Sequence, residues 1–363
     1  MSVIMSITPS DPRGRIISRS AAFAVAAALL VSMSACSPQS DTPAETDGTD
    51  ATVVQNFAIV APENESDHGW NQAGLAAAQE TADALGIEVQ LLPDAGWDNT
   101  ETVLSQVASD GAQFIVAHAS GYGVAAATVA ADTGVPILIQ DTGDNVPGKI
   151  AKVTTEAQQG GYLAGIAAAM TTTSKTVGVV LSADDANWFK MTSGFVEGVY
   201  SVDPTVQVLY ASVGPAAYGD SAGGKATTEQ LIAAGADVIF GMGDGATTGY
   251  LQAVEAAPGV MYIADIGDVT SAMTDPTRLL TSVLWNYTNT YTQAIKDIEA
   301  GTYGQQGYVL TVENGGLSLQ ASDKMTTEIL DAVTAAMNGI IDGSIVPTVA
   351  ANADEVKAVI AAK

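Results

Sequence analysis

Asp67-His68-Gly69-Trp70-Asn71-Gln72 is the polar turn around which this chain is organised. It follows an apolar run, residues 57–61, that is typical of a buried strand, and it precedes an alanine-rich segment, residues 73–85, that is typical of a helix. A turn that joins a parallel strand to its helix lies at the carboxyl end of the sheet, where open α/β folds bind ligands. The turn carries a carboxylate, an imidazole, an indole and a carboxamide, so we predict that it faces a ligand.

Outward from this turn, short strands rich in Val, Ile and Leu alternate with alanine-rich helical segments. This alternation indicates an α/β protein with a parallel, doubly wound sheet. The strands are predicted near residues 56–61, 88–92, 114–117 and 136–139, and the helices near 72–85, 100–109 and 123–131.

A second round of the same alternation runs from residue 176 to residue 264. Gly111-Ala112-Gln113-Phe114-Ile115 in the first round corresponds to Gly235-Ala236-Asp237-Val238-Ile239 in the second, and each runs into a glycine-containing loop. The repeat implies two similar α/β lobes. Residues 141–155 are predicted to make the first crossing between them. Later segments recross, and several crossings form a hinge between two halves that can close.

The boundaries of the two lobes follow from this division. Lobe one is predicted to comprise residues 53–154 and about 266–306, and lobe two residues 155–265 and about 307–345. The later strands, near 280–284 and 308–312, and a helix over 324–339 are expected to complete both sheets, with residues 346–363 as a C-terminal tail.

The composition suits a globular protein that avoids polyanions. With 363 residues and 47% hydrophobic content, the chain can bury one or two sizeable cores. The formal net charge of −27 would repel nucleic acid and anionic lipid surfaces. Beyond residue 35 the only arginine is Arg278, so no arginine cluster can recognise phosphate groups.

The N-terminal segment is typical of an export signal. Three arginines in the first 19 residues precede an apolar run, residues 21–33, which ends in Ser34-Ala35-Cys36. Cys36 is the only cysteine, so it is either a free thiol or, as its context resembles, the lipid-acceptor cysteine of a bacterial lipoprotein. Residues 37–52 are polar and typical of a flexible tether. We therefore expect a signal peptide over residues 1–35 and a domain tethered outside the cytoplasm by a lipid anchor.

All four tryptophans and both histidines lie in or beside loops that follow predicted strands. Each ring by itself could simply pack in a core. Together they gather at one edge of two sheets, so they are predicted to converge on the cleft between the lobes. Aromatic pairs across a cleft can sandwich a flat ring, contributing about 0.5–1.5 kcal/mol per pair beyond burial. The residues are His68, Trp70, Trp97, His118, Trp188 and Trp285, joined by Tyr218.

Polar side chains occupy equivalent places after the strands. Carboxylates and carboxamides can orient a neutral ligand through hydrogen bonds. The alternative role for each aspartate is to cap the N-terminus of a helix. The candidates are Asp67, Asn71, Asp141, Asp244 and Asp265, with Asp98 and Asp220 equally well explained as caps.

Signs of catalysis are weak. Gly241-Met242-Gly243-Asp244-Gly245 lacks the lysine and the hydroxyl residue of a phosphate-binding P-loop, and a lone cysteine excludes two-cysteine patterns. His68 and His118 could hold a metal only if they met across the cleft, because neither has a His or Cys partner at i, i+4 spacing. We expect no enzyme activity, no cofactor and no metal.

Several motifs together resemble the BMP (basic membrane lipoprotein) family over roughly residues 54–340. The resemblance implies a lipid-anchored substrate-binding protein of an ABC importer, with the two-lobed type I periplasmic-binding fold and a purine nucleoside or nucleobase as ligand. The motifs are Asp67-x-x-Trp70-Asn71-Gln72, Glu156-x-Gln158-x-Gly160-Gly161-Tyr162-Leu163-Ala164-Gly165, Gly194-Phe195-x-x-Gly198, Gly235-Ala236-Asp237-Val238-Ile239-Phe240 and Leu280-Thr281-Ser282.

The resemblance also implies roles for single residues. Trp70 would stack on the purine, with Asn71 beside it, and Tyr218 would be the opposing aromatic ring. Asp141 would face the base and Asp265 would hold the ribose. Trp285 stands where nucleoside binders of the family place a ribose-contacting lysine, so the sequence resembles more closely the members that bind free bases.

The expected protein is a receptor on the outer face of the cell membrane that delivers a purine-like solute to an ABC permease and its ATPase. The alternatives are a nucleoside-processing hydrolase that uses Asp67 and Asp141 with a metal, and a sensory or surface lipoprotein without a transport role. The predicted ligand-binding residues are Asp67, His68, Trp70, Asn71, His118, Asp141, Trp188, Tyr218, Asp244, Asp265 and Trp285.

Overall fold

The computed structural model of the protein describes residues 53–363. The predicted signal peptide, the tether and Cys36 lie outside the described residues. Within residues 53–363, every helix is too short or too polar to span a bilayer.

Twelve strands and ten α-helices alternate along residues 53–363. In chain order they are β1 (Asn56–Val60), α1 (Trp70–Leu85), β2 (Glu88–Leu92), α2 (Thr100–Ser109), β3 (Ile115–Ala117), α3 (Gly123–Thr133), β4 (Ile137–Gln140), β5 (Ile150–Thr155), α4 (Ala157–Thr171), β6 (Thr176–Leu181), α5 (Ala186–Val202), β7 (Gln207–Ser212), α6 (Ser221–Ala233), β8 (Val238–Met242), α7 (Thr247–Ala256), β9 (Met261–Ala264), β10 (Leu279–Trp285), α8 (Thr288–Glu299), β11 (Tyr308–Leu310), β12 (Leu317–Leu319), α9 (Thr327–Ile341) and α10 (Ala353–Ala361).

The strands form two six-stranded sheets, one in each lobe. The first has the order β11-β5-β4-β3-β1-β2, and all of its strand pairs are parallel. The second has the order β12-β10-β9-β8-β6-β7, in which only the pair of β10 with β12 is antiparallel. The predicted alternation therefore produces two parallel-sheet lobes of the same design.

Helices cover the sheets because the central strands are buried on both faces. In lobe one, Leu104 of α2 and Val129 of α3 pack with Ile115 of β3 on one face, while α1 and α8 pack against each other elsewhere in the lobe. Helix α1 ends at Gly86, whose φ of 68° is left-handed and whose N–H donates to the Ala82 carbonyl. In lobe two, α6 packs on α7, and α4 packs on α5 and α9.

The contact between α4 and α5 is a backbone contact made by glycines. A Cβ on Gly161 would lie 2.0 Å from the Met191 carbonyl oxygen, and one on Gly194 would lie 1.9 Å from that of Gln158. The next turn repeats this, because a Cβ on Gly165 would lie 2.2 Å from the Phe195 oxygen and one on Gly198 would lie 2.0 Å from that of Tyr162. Two glycines four residues apart on each helix let the helices approach this closely, and they account for two of the motifs noted above.

The later segments lie in lobes other than those expected from the sequence. Strand β10, placed by the sequence in lobe one, pairs with β9 in the second sheet, and β11, placed in lobe two, pairs with β5 in the first. Residues 150–155, expected in a crossing, form the buried strand β5. The chain of residues 53–363 crosses between the lobes after β5, after β10 and after β11.

Three further elements are absent from the sequence-based expectation. Helix α8 packs on α1, and β12 adds an antiparallel edge to the second sheet. The expected C-terminal tail contains α10, which packs on α5 and buries Val356.

Candidate functional site

A cavity lies between the two lobes, at the carboxyl ends of their strands. About 110 Å³ of it is open to the centres of water molecules. Because one water needs roughly 10–15 Å³ by that measure, the space can hold a compact ligand. Its walls are Pro62, Glu63, Trp70, Asn71, Trp97, His118, Ala119, Ser120 and Asp141 from lobe one, and Asp185, Asn187, Trp188, Tyr218, Asp244, Ile266 and Trp285 from lobe two or its edge.

The carboxylate of Asp67 fixes the start of α1 and so positions Trp70. Its oxygens accept hydrogen bonds from the backbone N–H groups of Gly69, Asn71 and Gln72 at 2.9–3.0 Å, and from the Asn71 side chain at 2.7 Å. These donors would otherwise be unsatisfied at a helix N-terminus. Asp67 is buried and is not among the residues that line the cavity, so it has the capping role rather than the predicted contact with ligand.

The Trp70 N–H group of this turn bonds to the opposite lobe. The Trp70 backbone N–H donates to Oδ1 of Asp244 at 3.2 Å, and Asp244 follows β8 in lobe two. A second hydrogen bond crosses the cavity in the other direction, from Nδ2 of Asn187 in α5 to the carboxylate of Asp141 at 3.3 Å. Two hydrogen bonds between cavity residues therefore join the lobes, which indicates the closed arrangement of a hinged pair.

Backbone strain gathers at the same place. Asp141, Asp244 and Ile266 line the cavity with φ values of 56°, 40° and 62°, and His68 beside it has a φ of 58°. Non-glycine residues adopt this left-handed conformation rarely, and such residues are concentrated at functional sites.

Two groups of aromatic rings line the cavity. The ring of Trp70 lies 5.7 Å from that of Trp285 and 5.2 Å from that of His118. In lobe two, Trp188 lies 5.4 Å from Tyr218 with an interplanar angle of 47°. Because both groups face one gap, a flat ring between them would have aromatic faces on each side.

His118 is a neutral support for Trp70. Its Nε2 donates to the Trp70 carbonyl oxygen at 2.9 Å, while Nδ1 lies 3.2 Å from the Gln140 amide nitrogen and 3.3 Å from the Tyr291 hydroxyl. Burial lowers the pKa of His118 to about 4, so the ring is uncharged at neutral pH. Both nitrogens are engaged, which leaves neither for a metal.

Buried carboxylates dominate the electrostatics of the site. Burial raises the pKa of Asp244 to about 8, assisted by repulsion from Asp67, and raises that of Asp141 to about 6 against the opposing hydrogen bond from Asn187. Burial also raises the pKa of Asp185 and, well above its ordinary value, that of Asp265. Removal from water disfavours the charged form of each group.

Most of the predicted binding residues line this cavity. Trp70, Asn71, His118, Asp141, Trp188, Tyr218, Asp244 and Trp285 do so. His68 does not, and its backbone N–H donates to the Gln72 side chain at 3.2 Å. Asp265 is also outside the lining; it is buried, and its Oδ2 has no hydrogen-bond partner among residues 53–363.

Several lining residues are not among those predicted from the sequence. Asp185 and Asn187 carried a usable signal, because Asp185 caps α5 through the N–H groups of Asn187 and Trp188 just as Asp67 caps α1. Trp97 was noted as an aromatic residue but not as a binding residue, although it lines the cavity with 58% of its surface exposed. Pro62, Glu63, Ala119, Ser120 and Ile266 offered no distinctive pattern.

Two arrangements that could support catalysis are a metal site and a serine nucleophile with a histidine base. Across residues 53–363, no group of three or more His, Cys, Asp or Glu side chains is placed to hold a metal ion. Gly219-Asp220-Ser221-Ala222-Gly223 fits a Gly-x-Ser-x-Gly pattern, but Ser221 begins α6 and His118, the only histidine in the cavity wall, already bonds to Trp70, Gln140 and Tyr291.

Comparison with solved structures identifies the fold. A solute-binding protein of an ABC transporter system from Conexibacter woesei superposes with a TM-score of 0.70 at 23% identity, covering 82% of this chain and 99% of that one. One from Aeropyrum pernix K1 also gives 0.70 at 19% identity, covering 84% of this chain and 96% of that one. The predicted two-lobed periplasmic-binding fold is confirmed.

Sequence comparison identifies the family. Residues 54–348 match the Bmp family, described as ABC transporter substrate-binding protein PnrA-like. The nucleoside-binding protein BmpA of an ABC transporter in Lactococcus lactis is 28% identical over 213 residues, which is 54% of this chain and 59% of that protein. The chain thus matches less than two thirds of that relative's length. By the match over residues 54–348, the resemblance seen in the sequence is confirmed, and the chain belongs to the Bmp family of PnrA-like ABC transporter substrate-binding proteins.

Proposed function

We propose that this protein is the solute receptor of an ABC importer and that it closes its two lobes on a purine-like nucleobase or nucleoside. The observation that carries the proposal is the set of aromatic rings, Trp70 from lobe one and Tyr218 with Trp188 from lobe two, that line a single cavity between the lobes. A flat heterocycle between them buries both faces, and polar groups at its edge can fix its orientation.

The cavity offers both hydrogen-bond acceptors and a hydrogen-bond donor to the edge of the ligand. Asp141 and Asp244 offer acceptor oxygens, while the indole Nε1 of Trp285 is a buried donor without a partner in the described part of the chain. Purines carry both donors and ring acceptors, so they match this mixed set. The nucleoside-binding name of the Lactococcus relative supports the same class of ligand. The bulk of Trp285 favours a free base over a nucleoside.

The remaining parts of the proposal concern where the protein works and with what. Substrate-binding proteins of ABC transporters act outside the cytoplasm. The context of Cys36 favours a lipid anchor on the outer face of the membrane, with a permease and an ATPase as partners. The closed form would be the one that the permease recognises, so domain closure rather than chemistry is the working step.

A thermal-shift screen of bases, nucleosides and sugars tests the ligand class. A ligand at 100 times its Kd adds about 2.7 kcal/mol of stability, which is a readily measured rise in Tm. We expect a purine-like compound to give this rise. Trp70→Ala should abolish it with little change in the Tm of the free protein, whereas Trp70→Phe, which keeps a stacking ring, should retain part of it.

Two results would contradict the proposal. If only sugars raise the Tm, the aromatic walls do not select a base. If inosine incubated with the protein is converted to free base, the protein is a hydrolase, because a receptor returns its ligand unchanged.

A further inference from the structure

The walls of the cavity carry acidic groups without any cationic counterpart. Glu63, Asp141, Asp185 and Asp244 line it, and among residues 53–363 no lysine or arginine does. His118, the only histidine in the wall, is held neutral by its burial and its hydrogen bonds. The ligand therefore meets an excess of carboxylate oxygens.

The nearest lysine does not neutralise these groups. The Lys190 Nζ donates to the Thr155 carbonyl oxygen at 3.2 Å and to Oδ1 of Asn187 at 3.3 Å, so it acts on Asp141 and Asp185 only at longer range. A buried carboxylate without a counter-charge is costly, and it either takes up a proton or waits for a cation. Burial raises the pKa of Asp141 and of Asp244, and within residues 53–363 no cationic side chain in the cavity wall offsets this rise.

Several buried polar atoms in the described residues lack a hydrogen-bond partner, and two of them are relevant to the cavity. One is the indole Nε1 of Trp285, whose side chain lines the cavity and is 4% exposed. The other is Oδ2 of Asp265, the residue that precedes the cavity-lining Ile266. Buried polar groups in folded proteins are normally hydrogen-bonded. The ligand is thus expected to bring an acceptor atom for Trp285 as well as positive charge for the carboxylates.

The aromatic rings of the cavity also favour a positively charged ligand. The faces of indole and phenol rings attract cations through the ring quadrupole, most strongly when the cation is removed from water. Trp70, Trp188 and Tyr218 present such rings on opposite lobes of the cavity. A flat cation would interact with both the faces and the surrounding carboxylates, whereas an anion would be repelled by both.

From this geometry we propose that the cleft selects a positively charged heteroaromatic ligand, such as an N-methylated or protonated aminopurine, over neutral rings of the same shape. This inference rests on the proposed function in taking the ligand to be a flat solute bound between the lobes. It goes further in assigning the charge of that solute and in naming Asp244 and Asp141 as the residues that determine charge selectivity.

Isothermal titration of the full-length protein with two matched pairs of probes tests the inference. 1-Methyladenosine carries a positive charge at neutral pH, and its isomer N6-methyladenosine is neutral. 1-Methylnicotinamide and nicotinamide form a second, smaller pair without ribose. We expect at least one cation to bind ten times or more tighter than its neutral partner. Equal or weaker binding of the cations, or no binding of either cation, would overturn the proposal.

Charge-neutralising variants locate the effect. Asp244→Asn keeps the size of the side chain and an acceptor for the Trp70 N–H, and it should reduce the preference for the cation at least fivefold. Asp141→Asn should act in the same direction, which covers the case in which Asp244→Asn does not fold. Asp220→Asn removes an exposed carboxylate outside the cavity and should leave the preference unchanged.

The outcomes separate this inference from the proposed function. If neutral purines bind as well as their cations do, the receptor remains a purine receptor and the charge selectivity is wrong. If 1-methylnicotinamide binds while every purine fails, the charge selectivity stands and the purine assignment falls.

Discussion

Asp67 illustrates how a residue can be located correctly from sequence and yet have another role. The strand, the polar turn and the helix were predictable from local pattern, and the turn does lie at the cavity. Which side chain of the turn reaches the ligand was not, because it depends on where the donors of the helix terminus point. The carboxylate of Asp67 turns toward the N–H groups of Gly69, Asn71 and Gln72, and Trp70 is left to line the cavity.

The capping role makes a prediction about stability. Asp67→Ala removes a buried carboxylate that accepts four hydrogen bonds, and we expect it to lower the free energy of unfolding by about 2–3 kcal/mol. Asp220→Ala is the matched control, because Asp220 is an exposed cap that accepts one bond, from Gly223, and should cost about 0.5–1 kcal/mol. Urea denaturation measures both. Equal losses in the free energy of unfolding for the two variants would show that Asp67 has no special role in stability.

At the scale of elements, periodicity predicted most of the strands and helices but not the edges of the structure. Strand β5 falls within residues 141–155, which the sequence predicts as a crossing between the lobes. Strand β12 has only three residues, too few to form a recognisable pattern, whereas α8 has a clear apolar face that the sequence-based prediction does not include. Conversely, the glycine motifs of α4 and α5 can be recognised in the sequence, but the sequence does not show why glycine is needed at these positions. The reason is non-local, since each glycine makes room for a carbonyl oxygen of the other helix.

The glycine contact predicts that a single methyl group is harmful there. Gly194→Ala places a Cβ 1.9 Å from the Gln158 oxygen, an atom of the helix backbone that cannot rotate away. Alanine gains about 1 kcal/mol in helix propensity over glycine, yet forced separation of two packed helices costs typically 1–3 kcal/mol and here should exceed that gain. We expect a lower urea midpoint for Gly194→Ala. Gly219→Ala, where a Cβ meets no atom within 4 Å, should change it little, and an unchanged midpoint for both would contradict the packing argument.

At the scale of the molecule, the division of the chain between lobes was the least predictable feature. Strands of both sheets have the same apolar pattern, so this pattern does not show which sheet receives β10 or β11. The sheet is decided by strand pairing, of β10 with β9 and of β11 with β5. The hinge itself followed from the repeat, but its three crossings required the pairing. The two hydrogen bonds across the cavity, from Trp70 to Asp244 and from Asn187 to Asp141, were likewise invisible until both lobes were placed.

These bonds and the buried carboxylates predict that lobe closure depends on pH. In the closed form the pKa values of Asp141 and Asp244 are about 6 and about 8, raised by burial from an ordinary value of 3.8. When the lobes open, water reaches both groups and their pKa values fall toward that ordinary value. At any pH between the pKa of a group in the open form and its pKa in the closed form, the closed form binds more protons than the open form. Raising the pH through 6 to 8 therefore disfavours closure.

The charged groups around the two aspartates do not reverse this sign. Asp244 faces Asp67, Asp185 and Glu63, all of which repel its charged form. Asp141 faces Asp185, which opposes ionisation, and Lys190 and Lys152, which favour it less than burial disfavours it. The net effect of both sites is an uptake of protons on closing.

Small-angle X-ray scattering of the ligand-free protein between pH 5 and pH 9 measures the result. We expect the radius of gyration to be smallest at pH 5 and to increase as the pH passes from 6 to 8, because Asp141 and Asp244 ionise more readily in the open form than in the closed form. Asp244→Asn cannot ionise and should remove the upper part of the transition, while Asp220→Asn, outside the cavity, should leave the whole curve unchanged. A radius that stays constant across this range would mean that opening does not expose Asp141 and Asp244 to water.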